Sequence, residues 1–126
     1  MEKQIISTDA APAAIGPYSQ AVRAGEFLFL SGMLGVDPAT GAFAGDDAVS
    51  QARRACENIA ALLAAQGLSA KNVVKTTVFL KDLSAFAAVN AVYAELFCCE
   101  PPARSCVEVS RLPKDALVEI ECVAMR

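Results

Sequence analysis

Polar and apolar residues recur along most of this chain with one of two periods, and the clearest alternation lies in its last quarter. In Arg104-Ser105-Cys106-Val107-Glu108-Val109, residues Ser105, Val107 and Val109 share one face, and Arg104, Cys106 and Glu108 share the other. Leu117-Val118-Glu119-Ile120-Glu121-Cys122-Val123 alternates too, with Val118, Ile120 and Cys122 opposite Glu119 and Glu121. Pro101-Pro102 gives the first run a stiff, extended approach, and Leu112-Pro113-Lys114-Asp115 reads as a turn between the two. Paired as a hairpin, the runs would place an arginine and carboxylates on one face, opposite valine and isoleucine.

Upstream, residues 2–6 suit a short edge strand, and 10–14 read as a loop. Gly16-Pro17 marks a turn that aims Tyr18, after which Gln20 to Arg23 begins a strand. A tight turn at Ala24-Gly25 leads into a buried strand from Glu26 that ends at Ser31-Gly32, and Asp37-Pro38-Ala39-Thr40-Gly41 is a further turn. Asp46 or Asp47 caps a helix running to about Gln66. Its stripe is Val49, Ala52, Cys56, Ile59 and Leu63, and Gly67 is its stop. Val73 to Leu80 is rich in β-branched residues and predicts a strand. Ser84 then caps a second helix with Phe86, Val89, Tyr93 and Leu96 as core positions, ending near Phe97-Cys98-Cys99. The order β-β-β-α-β-α-β-β predicts one α+β domain over residues 1–126. Two helices cover one face of a mixed sheet of about six strands, and the other face carries Arg104, Cys106 and Glu119.

Composition changes the picture in three ways. The hydrophobic fraction is 55% and mean hydropathy +0.40, high for a 126-residue monomer without a membrane-length apolar run, so an obligate homo-oligomer is expected. Net charge is −3, the 11 Lys and Arg are scattered, and the N-terminus carries no basic-then-apolar leader pattern; the charge balance argues against nucleic acid as a partner, and the cytoplasm is the expected location. The five cysteines are odd in number with no Cys-x-x-Cys spacing, which favours reduced, mostly buried thiols over disulfides or a metal site.

There is no histidine. Chemistry must therefore run on carboxylates, tyrosine, thiols, backbone groups and water. By spacing alone Arg104 is equally an anion clamp or an ion-pair partner of Glu108 or Glu119, and Glu119 is readily a solvated strand carboxylate. Cys106 lacks a neighbour in its motif to activate it and reads as a small inert side chain. Packing or local hydrogen bonding remains an alternative for Tyr18, Ser31 and Asn90.

Ile15-Gly16-Pro17-Tyr18-Ser19-Gln20-Ala21-Val22, Ser31-Gly32, Val74-Lys75-Thr76-Thr77-Val78, Val89-Asn90-Ala91, Pro102-Ala103-Arg104-Ser105-Cys106 and Leu112-Pro113-Lys114-Asp115, in this order, resemble the RidA (YjgF) family of reactive intermediate deaminases. The resemblance implies a chorismate-mutase-like fold, a homotrimer with clefts between subunits, and cofactor-free, metal-free hydrolysis of 2-imino acids such as 2-iminobutanoate and 2-iminopropanoate to 2-keto acids and ammonia. By the same resemblance Arg104 clamps the substrate carboxylate, Glu119 and the backbone of Cys106 position water, and Tyr18, Ser31 and Asn90 line the cleft. A non-catalytic module binding 2-keto acids is the alternative the family allows. Met33 stands where similar members carry glutamine, which bears on substrate preference, and Cys98-Cys99 lies outside the family pattern.

Overall fold

β1 (Lys3–Ile6), β2 (Ala21–Ala24) and β3 (Phe27–Leu34) form an antiparallel meander in the computed structural model, which describes residues 2–126. Gly25 turns the β2–β3 hairpin with φ 61°, a conformation that only glycine adopts cheaply. β3 does not stop at Ser31-Gly32. A register shift between Leu30 and Met33 carries it on to Leu34. Such a bulge re-aims side chains without ending the ladder, which explains why a Ser-Gly pair reads as a terminus by sequence.

α1 (Ala48–Ala65) starts where Asp47 Oδ1 accepts from Ser50 N at 2.8 Å, and Gly67, at φ 72°, follows its end. Its stripe packs on the sheet as expected, with Ile59, Leu62 and Leu63 fully buried; each such side chain contributes about 1.5–3 kcal/mol on burial. β4 (Val73–Leu80) matches the β-branched run. α2 (Phe86–Leu96) is entered through a 3-10 turn, Leu83–Ala85, capped by Asp82 rather than Ser84; the Asp82 carboxylate accepts from Ser84 N at 2.9 Å. Val89 and Tyr93 are buried in the core and Leu96 packs against it, but Phe86 is exposed.

The larger correction concerns the last two strands. β5 (Ala103–Glu108) does not form a hairpin with β6 (Val118–Met125). The order is β1-β2-β3-β6-β4-β5, with β4 and β5 parallel and every other pair antiparallel. α2 is the crossover that returns the chain parallel to β4, and β6 fills the gap between β3 and β4. Being central, β6 buries Val118, Ile120, Cys122 and Ala124 under the helices.

Register then assigns the faces. Arg104 pairs with Thr76 and Cys106 with Val78, both buried on the helix-covered side, whereas Glu119 pairs with Phe79 and Glu121 with Thr77 on the open side. The expectation that Arg104, Cys106 and Glu119 share the open face is therefore wrong for Arg104 and Cys106. Inserting β4 between β5 and β6 breaks the hairpin register on which it rested. No helix among the described residues is long and apolar enough to cross a membrane.

Candidate active site

The open face ends in a cleft built on three segments. Gln20, though polar, is buried: its Oε1 accepts from Thr8 N at 2.7 Å, and its Nε2 lies 2.7 Å from Pro12 O and 3.1 Å from Ala11 O. This amide pins the preceding loop to the start of β2. Ser31 ties the same loop to β3, its Oγ donating to Ser19 O at 2.6 Å and its N donating to Gln20 O at 2.9 Å. With its proton committed, the Ser31 hydroxyl faces the cleft chiefly as an acceptor. Tyr18, between these anchors, is half exposed.

Glu119 reaches this cleft from β6, across β3. A Cβ built on Gly32 would stand 2.6 Å from Glu119 Cδ and 2.7 Å from Oε2, so glycine is what lets the carboxyl lie against the β3 backbone. Burial, and secondarily the charge of Glu121, pushes the Glu119 carboxyl above its ordinary value. It belongs to none of the ion pairs among the described residues. Tyr18, Ser31, Gly32 and Glu119 together line a cleft of about 420 Å³. Met33, by contrast, is buried in the core beside Ile120, and it adjoins a smaller chamber of about 170 Å³ behind Tyr18.

Arg104 and Asn90 form a separate cluster. Arg104 Nη1 donates to Asn90 Oδ1 at 2.7 Å, and its guanidinium carbon lies 4.8 Å from the Tyr93 ring centre and 5.6 Å from that of Phe86. Tyr93 is itself fixed by a buried 2.7 Å hydrogen bond to Thr76 Oγ1. Arg104 makes no ion pair with Glu108 or Glu119; Glu108 Oε1 instead accepts from Leu83 N at 2.8 Å. The guanidinium thus has a neutral anchor, two aromatic supports and unused donors facing a cleft of about 500 Å³.

Cys106 lies two residues along β5, half-buried, its thiol raised by burial against the opposing pull of Arg104. That direction makes it a poor nucleophile. β5 is an edge strand. Val109 N donates to Leu80 O at 2.9 Å, so alternation turns the backbone groups of Arg104 and Cys106 to the free edge.

The six predicted positions therefore fall into two constellations: Tyr18, Ser31 and Glu119 on the open side, and Asn90, Arg104 and Cys106 on the helix side of the β5 edge. One chain does not bring them together. Sequence reasoning missed Gly32 as the seat of Glu119 and Phe86 as a support for Arg104. Phe86, Asn90 and Tyr93 recur at i, i+4 and i+7, and an amide inside that otherwise apolar stripe was the available signal.

A mixed sheet with two helices on one face defines an α+β architecture, and on it stand a carboxylate seated on glycine and an arginine stacked on aromatic rings. A family model described as endoribonuclease L-PSP matches residues 8–126. The chain is 52% identical over 124 residues to a RutC family protein of Pyrococcus horikoshii, covering 98% of each. It is 53% identical over 124 residues to the 2-iminobutanoate/2-iminopropanoate deaminase of Salmonella typhimurium, covering 96% of each. The crystal structure of E. coli TdcF with bound serine superposes with a TM-score of 0.93 at 47% identity, over 98% of both chains. The chain belongs to the RidA (YjgF) family.

Proposed function

We propose that this chain hydrolyses reactive 2-imino acids to 2-keto acids and ammonia at a site completed by two copies of itself within a homotrimer. The observation that carries the reading is the pair of incomplete constellations: an unpaired carboxylate with a raised pKa on one face, and a pre-oriented, unpaired arginine at a free strand edge. Each supplies what the other lacks. The open face also exposes Ile5, Phe27, Phe29, Val107 and Met125 at 41% to 54%, an apolar surface fit to be covered by neighbouring copies.

In this reading Arg104 grips the substrate carboxylate through two parallel N–H···O bonds, while Asn90 and the rings of Tyr93 and Phe86 hold the fork in plane. Glu119 accepts a proton from water as it adds to the C=N carbon and returns one to nitrogen, so that ammonia leaves and the C=O forms. A carboxyl raised above its ordinary value is better matched to both transfers near neutrality. The free backbone groups of Cys106 orient the water. The serine bound to E. coli TdcF, an α-amino acid, has the carboxylate and adjacent nitrogen that such a site would read.

The test is interception of a freshly made imine. An amino-acid oxidase generates 2-iminobutanoate in the presence of semicarbazide; wild type should suppress semicarbazone formation, and Arg104→Ala should not. Tight 2-keto acid binding without suppression would replace the enzyme reading with a metabolite-binding one.

A further inference from the structure

Cys98 and Cys99 have no role in the chemistry just proposed. They lie between the end of α2 and Pro101-Pro102; both are exposed, and their Sγ atoms are 3.1 Å apart. Cys98 lines the Arg104 cleft, and both cysteines line the adjoining groove beside Ser69 and Lys71.

Two adjacent thiols invite two readings, and geometry separates them. A disulfide usually needs Cα atoms at least about 4.4 Å apart, whereas neighbours across a trans peptide are held at about 3.8 Å, so direct closure is strained. Capture of a third atom between the sulfurs avoids that strain. The narrow bite selects the atom. A linear two-coordinate ion would hold the sulfurs on opposite sides of itself. Tetrahedral zinc wants about four ligands, and no group of three or more metal-binding side chains occurs among the described residues. A pyramidal trivalent centre holds two sulfurs close together on one side, and thiolates suit soft centres.

We infer that Cys98 and Cys99 form a chelating dithiol site for a trivalent arsenic or antimony species, at the edge of the Arg104 cleft. With an arsenoxide, two As–S bonds form, both S–H bonds break, and the oxide oxygen leaves as water carrying the two protons; nothing is oxidised or reduced. The other thiols do not compete. Cys56 and Cys122 are buried in the core, and Cys106 is single and half-buried. Resting on the proposed function, a group seated on Cys98 would also hinder anion entry to Arg104.

Phenylarsine oxide is the probe. Reduced wild-type protein should take up one arsenic per chain by intact mass and lose two titratable thiols. A dithiol should reverse this, and a monothiol should not. Cys98→Ser and Cys99→Ser should each weaken binding at least about a hundredfold, the loss expected when a second tethered contact is removed. Cys106→Ser should bind like wild type. Wild type that keeps all its thiols at equimolar probe, or Cys98→Ser that binds as tightly as wild type, overturns the assignment. These readouts do not depend on turnover, so they stand or fall apart from the imine assay. A raised KM for 2-iminobutanoate on loading would add the link to Arg104, and an unchanged KM would sever it.

Discussion

Replacing Gly32 with alanine puts a methyl group where the Glu119 side chain now lies, 2.6 Å from Cδ, 2.7 Å from Oε2 and 2.9 Å from Cγ. Carbon atoms pack comfortably at about 3.5–4.0 Å, so the carboxyl must retreat by about 1 Å. Displacement of that size in a positioned catalytic group reduces rate about a hundredfold, equivalent to about 2.7 kcal/mol of lost transition-state stabilisation. The fold should barely notice. Gly32 lies outside the left-handed region of backbone space, and the group that moves is the end of a flexible side chain. Gly32→Ala should therefore lower kcat/KM in the imine-interception assay about a hundredfold, with 2-keto acid affinity at Arg104 and the melting temperature close to wild type. Activity within about threefold of wild type would refute the placement of Glu119 as the group that handles water. A matching drop in melting temperature would instead assign Gly32 to packing.

Other expectations follow from the same geometry. Burial and Glu121 raise the Glu119 carboxyl above its ordinary value of 4.5, so the folded protein holds that proton more tightly than the unfolded chain. The stability this supplies is complete below about pH 4.5 and is lost as pH rises through the raised value; Glu119→Gln should melt like wild type near pH 4 and higher than wild type near pH 7. If two chains share each site, co-expressed Arg104→Ala and Glu119→Gln chains should recover about one quarter of wild-type activity, the chance that an interface in a random cyclic trimer carries both intact groups. No recovery in verified mixed trimers would argue against shared sites. Tyr93→Phe keeps the ring under Arg104 but strands the Thr76 hydroxyl, costing about 1–3 kcal/mol in denaturant unfolding, whereas adding Thr76→Val should return part of the loss.

Local signals were legible where local chemistry decides. Asp47, Gly67 and the three-and-four spacing between them mark α1, and β-branched residues mark β4 to its observed ends. Alternation correctly divided the residues of β5 and β6 into two sets each. It does not say which strand lies next to which, and so it could not assign Arg104 and Glu119 to opposite faces. Buried amides were invisible for a related reason: Gln20, Gln51 and Asn58 look solvent-facing in a polar–apolar pattern, yet each satisfies loop backbone from inside. Asn58 Nδ2 donates to Val36 O at 2.9 Å, and Gln51 Oε1 accepts from Leu117 N at 2.8 Å. At Met33, where the sequence departs from the expected glutamine, the residue packs in the core and also lines the chamber beside Tyr18 and Ser31.

The place of β6 has a consequence for how the chain reaches its native state. The strand that joins the two halves of the sheet follows both of them in the chain, and until it docks, β3 and β4 each present an unsatisfied edge. The meander and the β4-α2-β5 unit can each form early from nearby contacts, but closure waits on residues 118–125. Folding should thus show a late, cooperative locking step dominated by pairings distant in sequence. Substitutions in β6 that weaken its docking would prolong the exposure of two strand edges, and their first symptom would be aggregation during synthesis rather than a defect in the finished molecule.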